Sequence, residues 1–180
     1  VFMRKGYDGA RMQEIADEAG INKALLHYYF RSKELLFHQI FRHSFRSFWP
    51  SIEPVLYNKD SDIRSIIRAI VHGYANLLEK MPYLPNFIIN EINRDPAKVA
   101  ELIHDAGIKP EMVVSAFARA MDKGEIVRMD PRELIVNIIG LCVFPVITRP
   151  LLGTLLYKEK EAYEQFLKAR KETACEFICR

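Results

Sequence analysis

Apolar residues recur at i, i+3 and i+4 from one end of this 180-residue chain to the other, without the sustained alternation bounded by hairpin turns that marks strands. That period buries one stripe of a helix and cannot bury one face of a sheet, so the expected fold class is all-α. Glycines and prolines divide the pattern. Residues 1–5 read as a helix's last turn closed by Gly6 and the turn-rich Tyr7-Asp8-Gly9, which places the start of the given chain inside a truncated first helix. Residues 11–19 carry Met12, Ile15, Ala16 and Ala19 on one stripe, with Gly20 as a left-handed stop and Asn22 as the cap of a helix over 23–30. Ser32 opens a third helix, expected to run through Leu36, Ile40, Phe41, Phe45 and Phe48 until Pro50 and Pro54 break it. Further helices are predicted at 63–81, 86–93, 97–104, 111–122, 132–148 with a bend at Pro145, and 158–179.

Composition sets the class of molecule. Hydrophobic residues at 49% and charged residues at 27%, with 8 Gly and 9 Pro, exclude collagen-like, low-complexity and largely disordered chains. A chain of this length buries roughly 70% of its unfolded surface. The longest apolar stretch, 134–147, is interrupted by Asn137 and Pro145 and falls short of the about 20 residues that span a bilayer, and no signal peptide precedes it. The expectation is a cytoplasmic protein with no membrane partner. Three cysteines, an odd number all beyond Gly140, suit a reducing compartment. The first 48 residues hold eight of the 26 Lys and Arg but five of the 23 Asp and Glu, so the whole formal surplus of +3 falls there. A polyanion-binding module on a neutral body has this charge pattern, as does an ordinary solvated face.

The strongest local pattern is Ile15-Ala16-x-x-Ala19-Gly20-Ile21-Asn22-x-x-x-Leu26-x-x-x-Phe30. Small Ala16 permits close helix approach, Gly20 permits a tight turn, and Ile15, Ile21, Leu26 and Phe30 can share a miniature core, which is the construction of a helix-turn-helix. The second helix keeps a wet face of Lys23, Ala24, His27 and Tyr28, suited to base edges and phosphates in a major groove. Tyr29 is open between core and surface.

Together with Gly6-Tyr7-Asp8 and Leu26-x-x-Tyr29-Phe30-x-Ser32-Lys33-Glu34-x-Leu36, this pattern resembles the TetR/AcrR family of transcriptional regulators over about residues 6–37. The resemblance implies a bacterial homodimer that represses transcription from an inverted-repeat operator on double-stranded DNA until a small apolar or amphipathic effector shifts its two reading heads apart. It divides the chain into a helix-turn-helix DNA-binding domain, 1–48, and a helical effector-binding and dimerisation domain, 49–180, coupled through the helix over 33–49. Carried across by position, Lys23, Ala24, Leu25 and Tyr28 face bases, and Gln13 falls where a base is sometimes reached. Lys33 matches a phosphate-binding Lys and Asn22 a frequent Ser. His27 stands where the family has a phosphate-touching Tyr, and an imidazole there brings pH dependence near its ordinary value of about 6.5. Ala10 replaces a capping Thr, which leaves Arg11 to supply the phosphate contact, and Ala24 replaces a frequent Gly, so the operator sequence does not transfer from relatives.

In the body, Tyr74, Leu78, Phe87, Ile88, Glu91, Met112, Phe117, Met121 and Phe144 are candidates to line an apolar effector cavity, with Glu91 or Asn90 as polar selector. Ile135, Ile138, Ile139, Cys142, Val143, Phe166, Arg170 and Phe177 carry more apolar surface than a terminal hairpin needs and are the expected dimer interface. Cys175 and Cys179 share a helical face but have no further ligands nearby, so no metal and no cofactor are expected. Without a Gly-x-Ser-x-Gly, a phosphate-cradling Gly loop or a His-Glu-x-x-His, the chain reads as a non-enzyme. The competing readings are an all-helical small-molecule carrier or signalling scaffold with a vestigial helix-turn-helix and, third, an enzyme built into the body.

Overall fold

The computed structural model describes residues 1–45, 48–58 and 60–179, and all the regular structure among them is helical. In chain order the helices are α1 (Phe2–Gly9), α2 (Met12–Glu18), α3 (Lys23–Phe30), α4 (Lys33–Phe45), α5 (Trp49–Tyr57), α6 (Ile63–Lys80), α7 (Leu84–Arg94), α8 (Pro96–Asp105), α9 (Pro110–Asp122), α10 (Pro131–Ile147), α11 (Arg149–Leu152) and α12 (Lys160–Ile178), with a π-helical turn at Gly153–Tyr157 before the last. Caps account for many of the starts. Asn22, Asp62, Asp95 and Asp130 each accept a bond from a free backbone N–H in the first turn of α3, α6, α8 and α10.

Prolines start these helices more often than they stop them. The predicted third helix is described through Phe45, and Pro50 sits in the first turn of the next described helix, α5, with Pro54 inside it. Likewise Pro85 lies in the first turn of α7, which begins two residues before the predicted 86. A first-turn proline loses an N–H that has no helical partner in any case, so its fixed φ favours initiation there. Of the helix expected over 33–49, Arg46 and Ser47 lie outside the described residues. Pro145 stays within α10. The chain instead turns by 64° at Thr148, between α10 and the α11–π segment.

By packing, the chain forms two units, Val1–Arg46 with Tyr83–Ile108, and Ser47–Pro82 with Lys109–Arg180. A single cut after residue 48 does not describe this division, because α7 and α8 belong with α1 to α4. The core of the first unit explains why. Phe37 meets Phe2 and Tyr7 edge-on at 5.4 and 5.1 Å and Phe87 of α7 at 5.1 Å, and all but Tyr7 are buried. In the second unit Ile52, Ile67, Val71, Phe117, Ile138 and Tyr163 form the core. There Gly73 admits α5 against α6: a β-carbon at that position would lie 3.3 Å from both Phe48 and Ser51. Among the described residues no single helix is long and apolar enough to cross a membrane.

Candidate nucleic-acid interface

The junction of α2 and α3 is built from its backbone outward. Gly20 adopts φ +68°, the left-handed conformation that costs a residue with a β-carbon strain. Its N–H donates to the Asp17 carbonyl at 3.2 Å, and the Ile21 N–H donates to the Ala16 carbonyl at 3.0 Å, closing α2 in a Schellman turn. Two residues later the Asn22 Oδ1 accepts from the Leu25 N–H at 2.7 Å and starts α3. Ser32 repeats the device, its Oγ accepting from the Leu35 N–H at 3.1 Å in the first turn of α4.

These turns leave α3 with one inward residue. Leu26 is buried with Ala16, while Ile15, Ile21 and Phe30, the other expected members of the miniature core, are half-buried. Lys23, Ala24, Leu25, His27, Tyr28 and Tyr29 are exposed. Tyr29, open on sequence, is 67% exposed and packs edge-on against Tyr28, itself 78% exposed, at 5.4 Å. Apolar aromatic surface of this extent, held on a short helix beside a lysine, is available to stack, hydrogen-bond and touch a groove. Lys23, Arg11, Arg31 and Arg42 have no ion-pair partner among the described residues. The other cations of this segment differ: Arg4 pairs with Glu18, and Lys5 with Glu14 at 2.7 Å. Gln13 donates to Asp17 at 2.7 Å and remains exposed, and the His27 Nδ1 lies 3.3 Å from the Arg31 carbonyl.

Lys33 departs from the expected phosphate contact. Its ammonium donates to the carbonyls of Tyr7, Ala10 and Asp8 at 2.8, 3.1 and 3.4 Å and lies 4.5 Å from the Tyr7 ring centroid. Carbonyls at a helix C-terminus have no helical donors and carry partial negative charge, so a lysine is well placed to close them. Here Lys33 fastens α1 to α4.

Glu91 also has a role that its sequence position concealed. It is 4% exposed in the first unit, where it accepts the Tyr7 N–H at 3.2 Å and the Arg94 Nε and Nη2 at 3.0 and 2.6 Å. Arg94 in turn lies 4.5 Å from the Tyr7 ring centroid. A buried carboxylate already satisfied by three donors does not serve as a ligand selector, which corrects that expectation. Phe87 and Ile88 lie in the same unit, with Phe87 in its aromatic core. The i, i+3 pair Glu91 and Arg94 was the sequence signal for this role. Asn90 is exposed on the same helix.

In the second unit Phe117 and Met121 are core, Met112 and Tyr74 are half-buried, and Phe144 is 59% exposed. Burial pushes the Tyr74 hydroxyl above its ordinary pKa. Of the nine candidates only Leu78 lines the cavity of about 250 Å³ bounded by α6, α10 and α12. Cys142 and Arg170, expected at a dimer interface, line that cavity too, and Ile138 is 1% exposed in the unit's own core. Ile139 and Phe177 are exposed, joined by Val136, Leu151, Leu155 and Leu156, whereas Ile135, Val143 and Phe166 are half-buried. Cys142 and Cys175 are free thiols held above their ordinary pKa by burial, at about 12 and about 11. Among the described residues no group of three or more His, Cys, Asp or Glu is arranged to hold a metal.

A capped helix-turn-helix whose second helix keeps an exposed face is the construction of a DNA-reading head. Residues 1–40 match the family described as bacterial regulatory proteins, tetR family. It is 25% identical over 118 residues to IcaR of Staphylococcus epidermidis, the HTH-type negative transcriptional regulator of the icaADBC biofilm operon, a match covering 61% of this chain and 62% of that protein. The chain thus spans less than two thirds of that relative's length. Its fold is similar to that of AibR in complex with isovaleryl coenzyme A and operator DNA, with TM-score 0.70, 17% identity and coverage of 96% of this chain and 90% of that one. FadR of Bacillus subtilis in complex with stearoyl-CoA gives TM-score 0.69 and 17% identity, with coverage of 99% and 92%.

Proposed function

We propose that the chain is a ligand-responsive, DNA-binding transcriptional regulator, not an enzyme, and that it represses by occupying an inverted-repeat operator as a homodimer until a small effector releases it. The observation that carries this reading is the outward face of α3, where Lys23, Leu25, His27, Tyr28 and Tyr29 are exposed, beside Arg11 and Arg31, which have no ion-pair partner among the described residues. A packed scaffold helix has no physical reason to hold two large aromatics in water.

Lys23, Ala24, Leu25 and Tyr28 take the base edges in this reading, with Gln13 at the flank. Arg11, His27 and Tyr29 take phosphates, Asn22 sets the N-terminus of α3 toward the backbone, and Lys33 positions the head. One short helix reads only a few base pairs, so a useful operator requires two heads about 34–36 Å apart. The apolar residues left exposed on α10, the α11–π segment and α12, among them Val136, Ile139, Leu155, Leu156 and Phe177, are the surface available for self-association. The AibR and FadR complexes support a small-molecule effector. Such a ligand acts only by binding the DNA-incompetent spacing more tightly than the competent one.

Selection of bound sequences from random duplexes tests the proposal. Enrichment of an inverted repeat is expected, and recovery of no sequence above background would overturn it.

A further inference from the structure

The cavity in the second unit has an apolar interior and an unbalanced cationic lining. Leu78, Leu141, Val146 and Leu167 supply its branched walls, and four cations but two acids line it. Arg149 is answered by Glu164, and Lys171 by Glu79 at 2.8 Å. Lys168 and Arg170 have no acidic partner among the described residues.

The placement of Arg170 follows from the helix opposite. Pro145 has no N–H, so the Leu141 carbonyl four residues earlier loses its helical donor. The Arg170 Nε donates to that carbonyl at 3.4 Å, and the guanidinium lies 5.8 Å from the Phe166 ring centroid. Anchored through one nitrogen, the guanidinium keeps its two terminal nitrogens without an acceptor among the described residues. A pre-positioned fork of this kind matches the two oxygens of a carboxylate. Close by, the Tyr163 hydroxyl of α12 donates to the Pro145 carbonyl of α10 at 2.5 Å, and Tyr157 of the π-helical turn meets the Tyr163 ring edge-on at 5.1 Å.

We propose that this cavity binds a medium-chain aliphatic carboxylate, its tail among Leu78, Leu141 and Leu167 and its carboxylate on Arg170 with Lys168 alongside. The volume equals about eight waters, the bulk of a chain of roughly eight to ten non-hydrogen atoms. An alkylammonium of the same length meets the surplus of cations and is disfavoured, and a neutral alcohol leaves the two unanswered charges as they were. The inference gives the effector of the proposed regulator a chemical class, and in that respect it rests on that reading.

Calorimetric titration of the protein without DNA, using octanoate, octanol and octylamine at pH 7, tests the site itself. Octanoate is expected to bind at least about tenfold tighter than octanol, with octylamine weakest. Arg170→Gln is expected to remove that tenfold advantage and leave octanol unaffected. Because Arg170 also closes the Leu141 carbonyl, Lys168→Gln provides a second reading from an exposed side chain, with a loss of several-fold in octanoate affinity. Equal affinity for octanoate and octanol, no binding of octanoate, or full octanoate affinity in both variants would each overturn the proposal. Operator affinity measured with and without octanoate separates the two claims. Direct binding of octanoate by a protein that binds no operator supports the site and retires the regulator, whereas operator binding indifferent to bound octanoate overturns the effector role.

Discussion

The α3 face of the first unit and the cavity of the second both gather cations, but they treat them in opposite ways. Around α3, Lys23, Arg11 and Arg31 stand on an exposed surface with no ion-pair partner among the described residues, beside aromatics left in water. Around the cavity the cations border an apolar hollow, and two of the four are already answered by glutamates. A duplex is a large, uniformly charged rod, and a convex surface with free charges suits it. A small amphiphile needs a hollow in which most of the charge is compensated and one or two groups remain to select it.

The contrast breaks most directly at Lys23. Lys23→Glu replaces a free cation by an anion on the proposed reading face, and operator affinity should fall about 100-fold or more by fluorescence anisotropy, with the helical signal and melting unchanged. Unchanged affinity would mean that α3 does not enter the groove. The same unit offers the opposite case in Glu91, whose charge is turned inward. Glu91→Ala leaves Arg94 and the Tyr7 N–H without their acceptor and should cost about 2 kcal/mol in denaturant unfolding, below the range for fully buried pairs because Arg94 is 31% exposed. A variant as stable as the parent would show that α7 does not hold α1. Gly20→Ala should cost about 1 kcal/mol, since nothing crowds a β-carbon there but φ +68° still strains it. No loss of stability would mean that the turn between α2 and α3 relaxes to another form.

The two regions also differ in how far the sequence disclosed them. Gly20, Asn22, Ala16 and Leu26 act over a few residues, so spacing alone conveyed both the turn and the side of α3 left in water. The cavity is assembled from Leu78, Leu141 and Leu167, which are far apart in the chain and identical in composition to core, and only Leu78 was singled out. Phe87 and Glu91 looked like cavity residues because they are apolar or acidic on an amphipathic helix, yet that helix packs with the head. Pro50 has the residue type of a helix terminator, yet it sits in the first turn of α5. Lys33 has the residue type of a phosphate contact, and only the three carbonyls around it show its fastening role.

Asp130 sharpens the comparison with the smallest effect, because in the second unit it is the kind of local device that made the first legible. Its carboxylate accepts the Arg132 N–H at 2.9 Å and the Arg132 guanidinium, which together hold its pKa down to about 2. The unfolded chain has the ordinary value of about 3.9, so the contribution is complete above that value and disappears as pH falls toward the folded one. Asn caps a helix about as well as Asp, so Asp130→Asn removes the charge and keeps the cap. Unfolding midpoints of parent and variant should therefore differ slightly and constantly above pH 5 and converge between pH 4 and about pH 2. A difference that persists unchanged at the acid end would place the stabilisation in the cap's hydrogen bond instead of the charge, and would remove this carboxylate from the acid sensitivity of α10.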